Sequence, residues 1–217
     1  MQLSVPEFAE ARGVSRQRAH AMIAAGRVKA QRIGRSWVID QQEINRREVS
    51  GRPLSARMAE LVIGALSGEQ LELDSQERFF LGKYMDRLRA AEQPLDLLYS
   101  WLRSRELRVV DVAGNPADFA ELIADRRVIA SGISDPRSGL SAAREFEGYV
   151  GGSDLPQLLK SYLLVDSSSP NVRLHVVEAV PPDPLPLGFV IADLVDWNRP
   201  REDDRALELL ESVPWSR

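Results

Sequence analysis

Over the first fifty residues the apolar positions twice repeat at helical spacing and then alternate. Ser4 followed by Glu7 makes a capping box, and Pro6 is tolerated in a first turn that needs no intrahelical donor, so a helix starts here with Phe8, Ala9 and Ala11 on its apolar face. Gly13 suits a left-handed stop after Arg12. Ser15 then caps a second helix in which Ala19, Met22 and Ile23 share one side at i, i+3, i+4 spacing. Gln17, Ala21 and Ala24 point the other way, Arg18 and His20 stand at the edges of that face, and Arg16 sits in the first turn. The segments "VKAQRI" and "SWVI" are short strands joined at Gly34-Arg35, with Val28, Ile33, Trp37 and Ile39 closing a small core. "DQQEI" opens a third helix.

Ser, Gly and Pro cluster in "REVSGRPLS", which sets a boundary near Ser50 and divides the chain into residues 1–49 and 50–217. Beyond it, "ARMAELVIGALSGEQ" reads as a helix ended by Gly68, and "SQERFFLGKYMDRLRAAEQPLDLLYSWLRSR" as two largely buried helices divided by Pro94. "LRVVDVAG" is a strand, "NPADFAELIADR" a helix with Asn115 as cap and Pro116 at its first position, and "RVIASGIS" a second short strand. "DLPQLLKSYLLVD" is a helix leading into the strand "NVRLHVVEA". "VPPDPLPLGF" carries four prolines and is read as an extended connector between apolar strands on either side. In "NRPREDDRALELLE" three acids precede Ala206, Leu207 and Leu210 at helical spacing. The expected fold class is α+β: an N-terminal winged helix-turn-helix domain followed by a larger mixed α/β domain.

Charge sharpens this division. Residues 1–47 hold nine Lys and Arg against four Asp and Glu, whereas the remainder holds 19 against 28, so a segment of +5 precedes one of −9 in a chain of net charge −4. Such asymmetry points to a nucleic-acid-binding module joined to something else. Arg16, Arg18, Arg32 and Arg35 lie on the second helix and the hairpin turn, where phosphates are met. Arg27 and Lys29 have a simpler role in complementing the second helix's dipole, and Trp37 one in the core. No apolar run approaches the roughly 18 residues needed to cross a bilayer, and the N-terminal segment lacks the basic-then-apolar order of a secretory signal, so a cytoplasmic location is expected.

The block "LSVPEFAEARGVSRQRAHAMIAAGRVKAQRIGRSWVIDQQEINR" resembles the DNA-binding domain of the excisionase and MerR-like winged helix-turn-helix family. The resemblance rests on "VSRQ" entering the recognition helix, "AAGRVKA" leaving it, "RIGRSW" in the wing turn and "DQQEI" after it. It implies DNA-facing roles for Arg16, Gln17, Arg18, His20, Arg32 and Arg35.

The acidic remainder offers no assembled catalytic constellation. There are no cysteines, and the only histidines, His20 and His175, are far apart in sequence. Asp193 and Asp196 are three apart and share a helical face, but no His, Lys or third acid lies near them in sequence, so they read as helix-start acids. "GGSDLPQLLKSYLLVDSS" lacks the second carboxylate a nucleotidyltransferase needs after Asp166, and "SGISDPRSGLSA" lacks the Lys-Ser/Thr pair of a phosphate loop. The chain is therefore expected not to be an enzyme and to use neither metal nor cofactor. "GYVGGSDLPQLLKSYLLVDSSSPNVRLHVVEAV" followed by "IADLVDWNRPREDDRALELLE" resembles the C-terminal region of AbiEi-type antitoxins, including mycobacterial MenA-like proteins, whose partners are nucleotidyltransferase toxins. That resemblance implies an antitoxin that binds operator DNA, represses its own operon and neutralises a cognate nucleotidyltransferase toxin. Because one small module offers only a limited DNA interface, two chains are expected on an inverted or direct operator repeat. Glu202, Asp203 and Asp204 are candidates for toxin contact against a basic nucleotide-binding cleft. The alternative is a transcriptional regulator whose acidic domain senses a small molecule.

Overall fold

A computed structural model describes residues 2–26, 28–34, 36–44, 47, 51–103, 105, 108–141 and 143–214. Contacts divide the chain into two units, Met1–Val49 with Asn198–Pro200 and Ser50–Trp197 with Arg201–Arg217.

The first unit begins with strand β1 (Gln2–Ser4), which the hydropathy pattern does not reveal, and continues into α1 (Val5–Ala11). Ser4 caps α1 in the expected box: its side chain accepts from the Glu7 amide, and the Glu7 carboxylate accepts from the Ser4 amide at 2.8 Å. Gly13 takes φ +67° at the break, and Ser15 Oγ accepts from the Arg18 amide at 3.1 Å to start α2 (Arg16–Ala24). Strands β2 (Ala30–Ile33) and β3 (Ser36–Asp40) form the hairpin, and β3 pairs antiparallel with both β1 and β2 in a three-stranded sheet of order β1-β3-β2. The expected third helix is a single 3-10 turn, Gln41–Ile44. Arg12 holds that turn, donating to the carbonyls of Glu43 at 2.7 Å and Ile44 at 2.8 Å. Phe8, Ala19, Met22, Val28 and Ile39 form the core, whereas Ile33, expected inside, is 53% exposed. A four-residue strand ending beside a turn cannot cover its last residue.

In the second unit, α3 (Ala56–Leu66), α4 (Ser75–Arg89) and α5 (Pro94–Leu102) follow one another, with Pro94 opening α5 and Asp74 capping α4. α4 corrects an expectation. Only Leu81 and Leu88 of its side chains are buried, and Phe79 and Phe80 are exposed. Four strands then build a sheet of order β4-β7-β6-β5: β4 (Arg108–Val112), β5 (Val128–Ala130), β6 (Phe146–Gly151) and β7 (Val172–Val177). The central pair, β6 and β7, is parallel, and both outer pairings are antiparallel. All six residues of β6 are buried, yet no strand is expected there from the sequence because Glu147, Gly148 and Gly151 interrupt its apolar pattern.

Alternation sends the two faces of the sheet into different cores. Phe146, Val150, Leu174 and Val176 pack with α6 (Phe119–Ala124) and α7 (Leu155–Ser161). Tyr149 belongs to the larger core, shared with α3, α5, α8 (Leu187–Trp197) and α9 (Pro200–Ser212). The segment after the proline connector is thus a helix where the sequence pattern predicts a strand; an eleven-residue apolar run reads the same for a buried helix as for a buried strand. Gly188 permits the α3–α8 approach, because a Cβ there would stand 2.1 Å from the Ile63 carbonyl oxygen. Its amide donates to Ser67 Oγ at 2.9 Å.

Candidate functional site

The first unit presents one basic helix face. Burying Ala19, Met22 and Ile23 forces the rest of α2 outward, so Arg16, Gln17, Arg18 and His20 are all exposed, with Ala21 and Ala24 between the long side chains. Small residues on such a face let a helix approach a groove closely, and long polar ones reach base edges and phosphates. On β2, Arg32 is exposed, with its guanidinium carbon 5.9 Å from the centre of the half-buried Trp37 ring. The tryptophan thus serves the core and also steadies an arginine, by a cation–π contact. Arg35, expected beside it, lies outside the described residues, as does Arg27. Glu43 accepts from the Lys29 amide at 2.9 Å, which ties the exit of α2 to the 3-10 turn.

Residues 3–47 match the family model of a helix-turn-helix domain. No curated protein and no solved structure matches the chain. The helix-turn-helix match falls on β1, α1, α2, the hairpin and the turn that follows, an arrangement that suggests DNA binding.

The second unit holds a buried polar network between β6, β7 and α8. It corrects the reading of Asp193 and Asp196 as isolated helix-start acids. Both stand in the C-terminal half of α8, and the sheet brings them a histidine, a third acid and an arginine. His175 Nε2 lies 2.9 Å from Glu147 Oε1, and the His175 ring stacks on Tyr149 with centroids 4.8 Å apart. Asp193 Oδ1 accepts from Tyr149 Oη at 3.1 Å and from Arg105 Nη1 at 3.0 Å, while Asp193 Oδ2 accepts from Ser131 Oγ. Arg105 Nη2 pairs with Asp196. Glu147 Oε2 accepts from Trp197 Nε1 at 2.7 Å and from the Ile133 amide at 3.2 Å. Sequence offers no signal for this convergence, because residues from 105 to 197 meet only when the central strands pair.

Burial and charge compete within the network. Burial disfavours charge on His175, but Asp193 and the hydrogen-bonded Glu147 outweigh it and raise its pKa above the ordinary histidine value. Burial raises the Asp196 carboxyl, with Arg105 opposing. Burial also raises Tyr149, helped by Asp193, so its hydroxyl stays a donor. Glu147, His175 and Asp193 bring ligand-type atoms within 4.8 Å of one another. Their donor set nevertheless suits an ion-pair network better than a cation: Glu147 and Asp193 together already accept from five other donors, one of them a guanidinium.

The acids proposed for a toxin contact are split by the fold. Glu202 is only 1% exposed, and its Oε1 lies 2.6 Å from Arg201 Nη2. Asp203 is half-buried, and Asp204 alone is exposed. Two turns of α9 must bury Ala206, Leu209 and Leu210, and Glu202 falls on that same side, so the three acids do not form one surface. Among the described residues no helix is long and apolar enough to cross a membrane.

Proposed function

We propose that this chain is a DNA-binding regulator that reads operator DNA through α2 and the β2–β3 hairpin, and that it acts as the antitoxin to a cognate nucleotidyltransferase toxin. The DNA reading is carried by one observation: the helix-turn-helix match covers the helix whose outward face is Arg16, Gln17, Arg18 and His20. The antitoxin reading is supported by the resemblance of the C-terminal blocks, whose elements run in the order α7, β7, proline connector, α8, α9. On this reading the second unit catalyses nothing, its buried network holds α8 to the sheet, and two chains occupy one operator repeat.

The test uses the full chain co-expressed with the product of the adjacent gene. The double variant Arg16→Ala, Arg18→Ala should lose operator binding and derepress a reporter while still rescuing growth. Failure of the wild-type chain to rescue growth, or to bind its own promoter, contradicts the corresponding half of the proposal.

A further inference from the structure

The parallel strands β6 and β7 send their following helices to opposite faces of the sheet. α7 packs in the core with Phe146 and Leu174, whereas α8 packs in the core with Tyr149. Adjacent parallel strands whose connections diverge leave a crevice outside their carboxyl ends, where open α/β sheets bind their ligands. Such a crevice is present as an open groove of about 940 Å3. Gly152 and Ser153, just after β6, and Glu178, Ala179 and Pro181, just after β7, line it. α3 closes the other side with Ala59, Glu60 and Ile63, and Phe189 of α8 adds an aromatic wall. All of these residues belong to the second unit, so the groove stands independently of the DNA-binding face.

Charges in the groove decide what it fits. Arg105 lines it but is spent on Asp193 and Asp196. Arg108, the first residue of β4, is exposed, and its side chain makes no hydrogen bond or ion pair with a described residue. Glu178 is exposed and equally without a partner among the described residues. Among the described residues Glu60 meets only Arg57, at 3.9 Å between two exposed side chains, which is worth little. One uncommitted cation, one uncommitted carboxylate and one weakly committed carboxylate therefore rim walls of Ala59, Ile63 and Phe189. The geometry points to a binding site for a small zwitterion with an apolar body, an apolar or aromatic α-amino acid, whose carboxylate meets Arg108 and whose ammonium meets Glu178.

Calorimetry and thermal shift on the full chain test this with L-phenylalanine and L-leucine as probes. 3-Phenylpropionate and phenethylamine, which each lack one charge, serve as controls. At least one amino acid should bind and raise the melting temperature, with each control about tenfold weaker or worse, the loss expected when one charged hydrogen bond is missing. Arg108→Ala and Glu178→Gln, both exposed substitutions, should keep the unliganded melting temperature and weaken binding by a similar factor. The proposal is overturned if neither amino acid binds at about 10 mM, where even a ~1 mM site is mostly filled. Controls binding as well as the amino acids, or Arg108→Ala retaining full affinity, also overturn it.

Discussion

His175 Nε2 and Glu147 Oε1 stand 2.9 Å apart on neighbouring parallel strands, both side chains almost wholly out of water. Because the folded-state pKa of His175 is raised, the folded chain holds that proton more tightly than the unfolded chain does. This stabilisation is complete below the ordinary histidine value of 6.5 and is lost as pH rises through the elevated folded value. Urea unfolding at several pH values from about 6 to 9 should show wild-type stability declining, with a flatter profile for His175→Gln. Parallel profiles for the two proteins would contradict a raised His175 pKa.

Asp193 accepts from Arg105, Tyr149 and Ser131 at once, so its removal strands three buried donors. Asp193→Ala should cost about 3–5 kcal/mol in denaturant unfolding. Asp196→Asn, which strips only one arm of Arg105 and leaves Asp193 in place, should cost less.

Two glycines are fixed by neighbours. Besides Gly188 against the Ile63 carbonyl, Gly132 has φ +47°, and a Cβ there would lie 1.8 Å from Glu147 Oε2. Gly188→Ala should displace α8 from α3 and lower the unfolding free energy by more than the ~1–3 kcal/mol typical of overpacking, since the obstacle is backbone. Gly82→Ala, which meets nothing within 4 Å and sits inside α4, should stabilise slightly.

Under the proposed antitoxin role, growth rescue should respond differently to the acids of α9. Glu202→Ala should destabilise the fold, because it leaves Arg201 without its buried partner, and should weaken protection only through that loss. Asp204→Lys should leave the melting temperature unchanged, and any direct role of this region in contacting a toxin then shows as lost growth rescue. Full rescue by Asp204→Lys assigns Asp204 to the helix start alone.

Local signals were legible because their causes are local. Ser4, Gly13 and Ser15 each act within a turn of where they stand, so both N-terminal helices and their outward face follow from the sequence. Helices α3, α4 and α5 were marked by Gly68 and Pro94 for the same reason. β1 leaves no sequence signal because three residues carry no period, and β6 none because Glu147 faces a polar network inside the protein where alternation expects an apolar residue. The pairing of His175 with Glu147 and Asp193 is decided by strand order, which no local pattern carries.

Direct DNA binding is the central claim, and its salt dependence is the sharpest measure of it. Fluorescence anisotropy of the full chain on its own promoter, titrated with salt, should give a steep slope of log K against log salt. Arg16→Ala, Arg18→Ala and Arg32→Ala should each flatten that slope by about 0.9 for every phosphate the variant no longer neutralises, with weaker affinity at every salt concentration. Unchanged slopes and affinities in all three variants would contradict the assignment of α2 and the hairpin as the DNA-binding face.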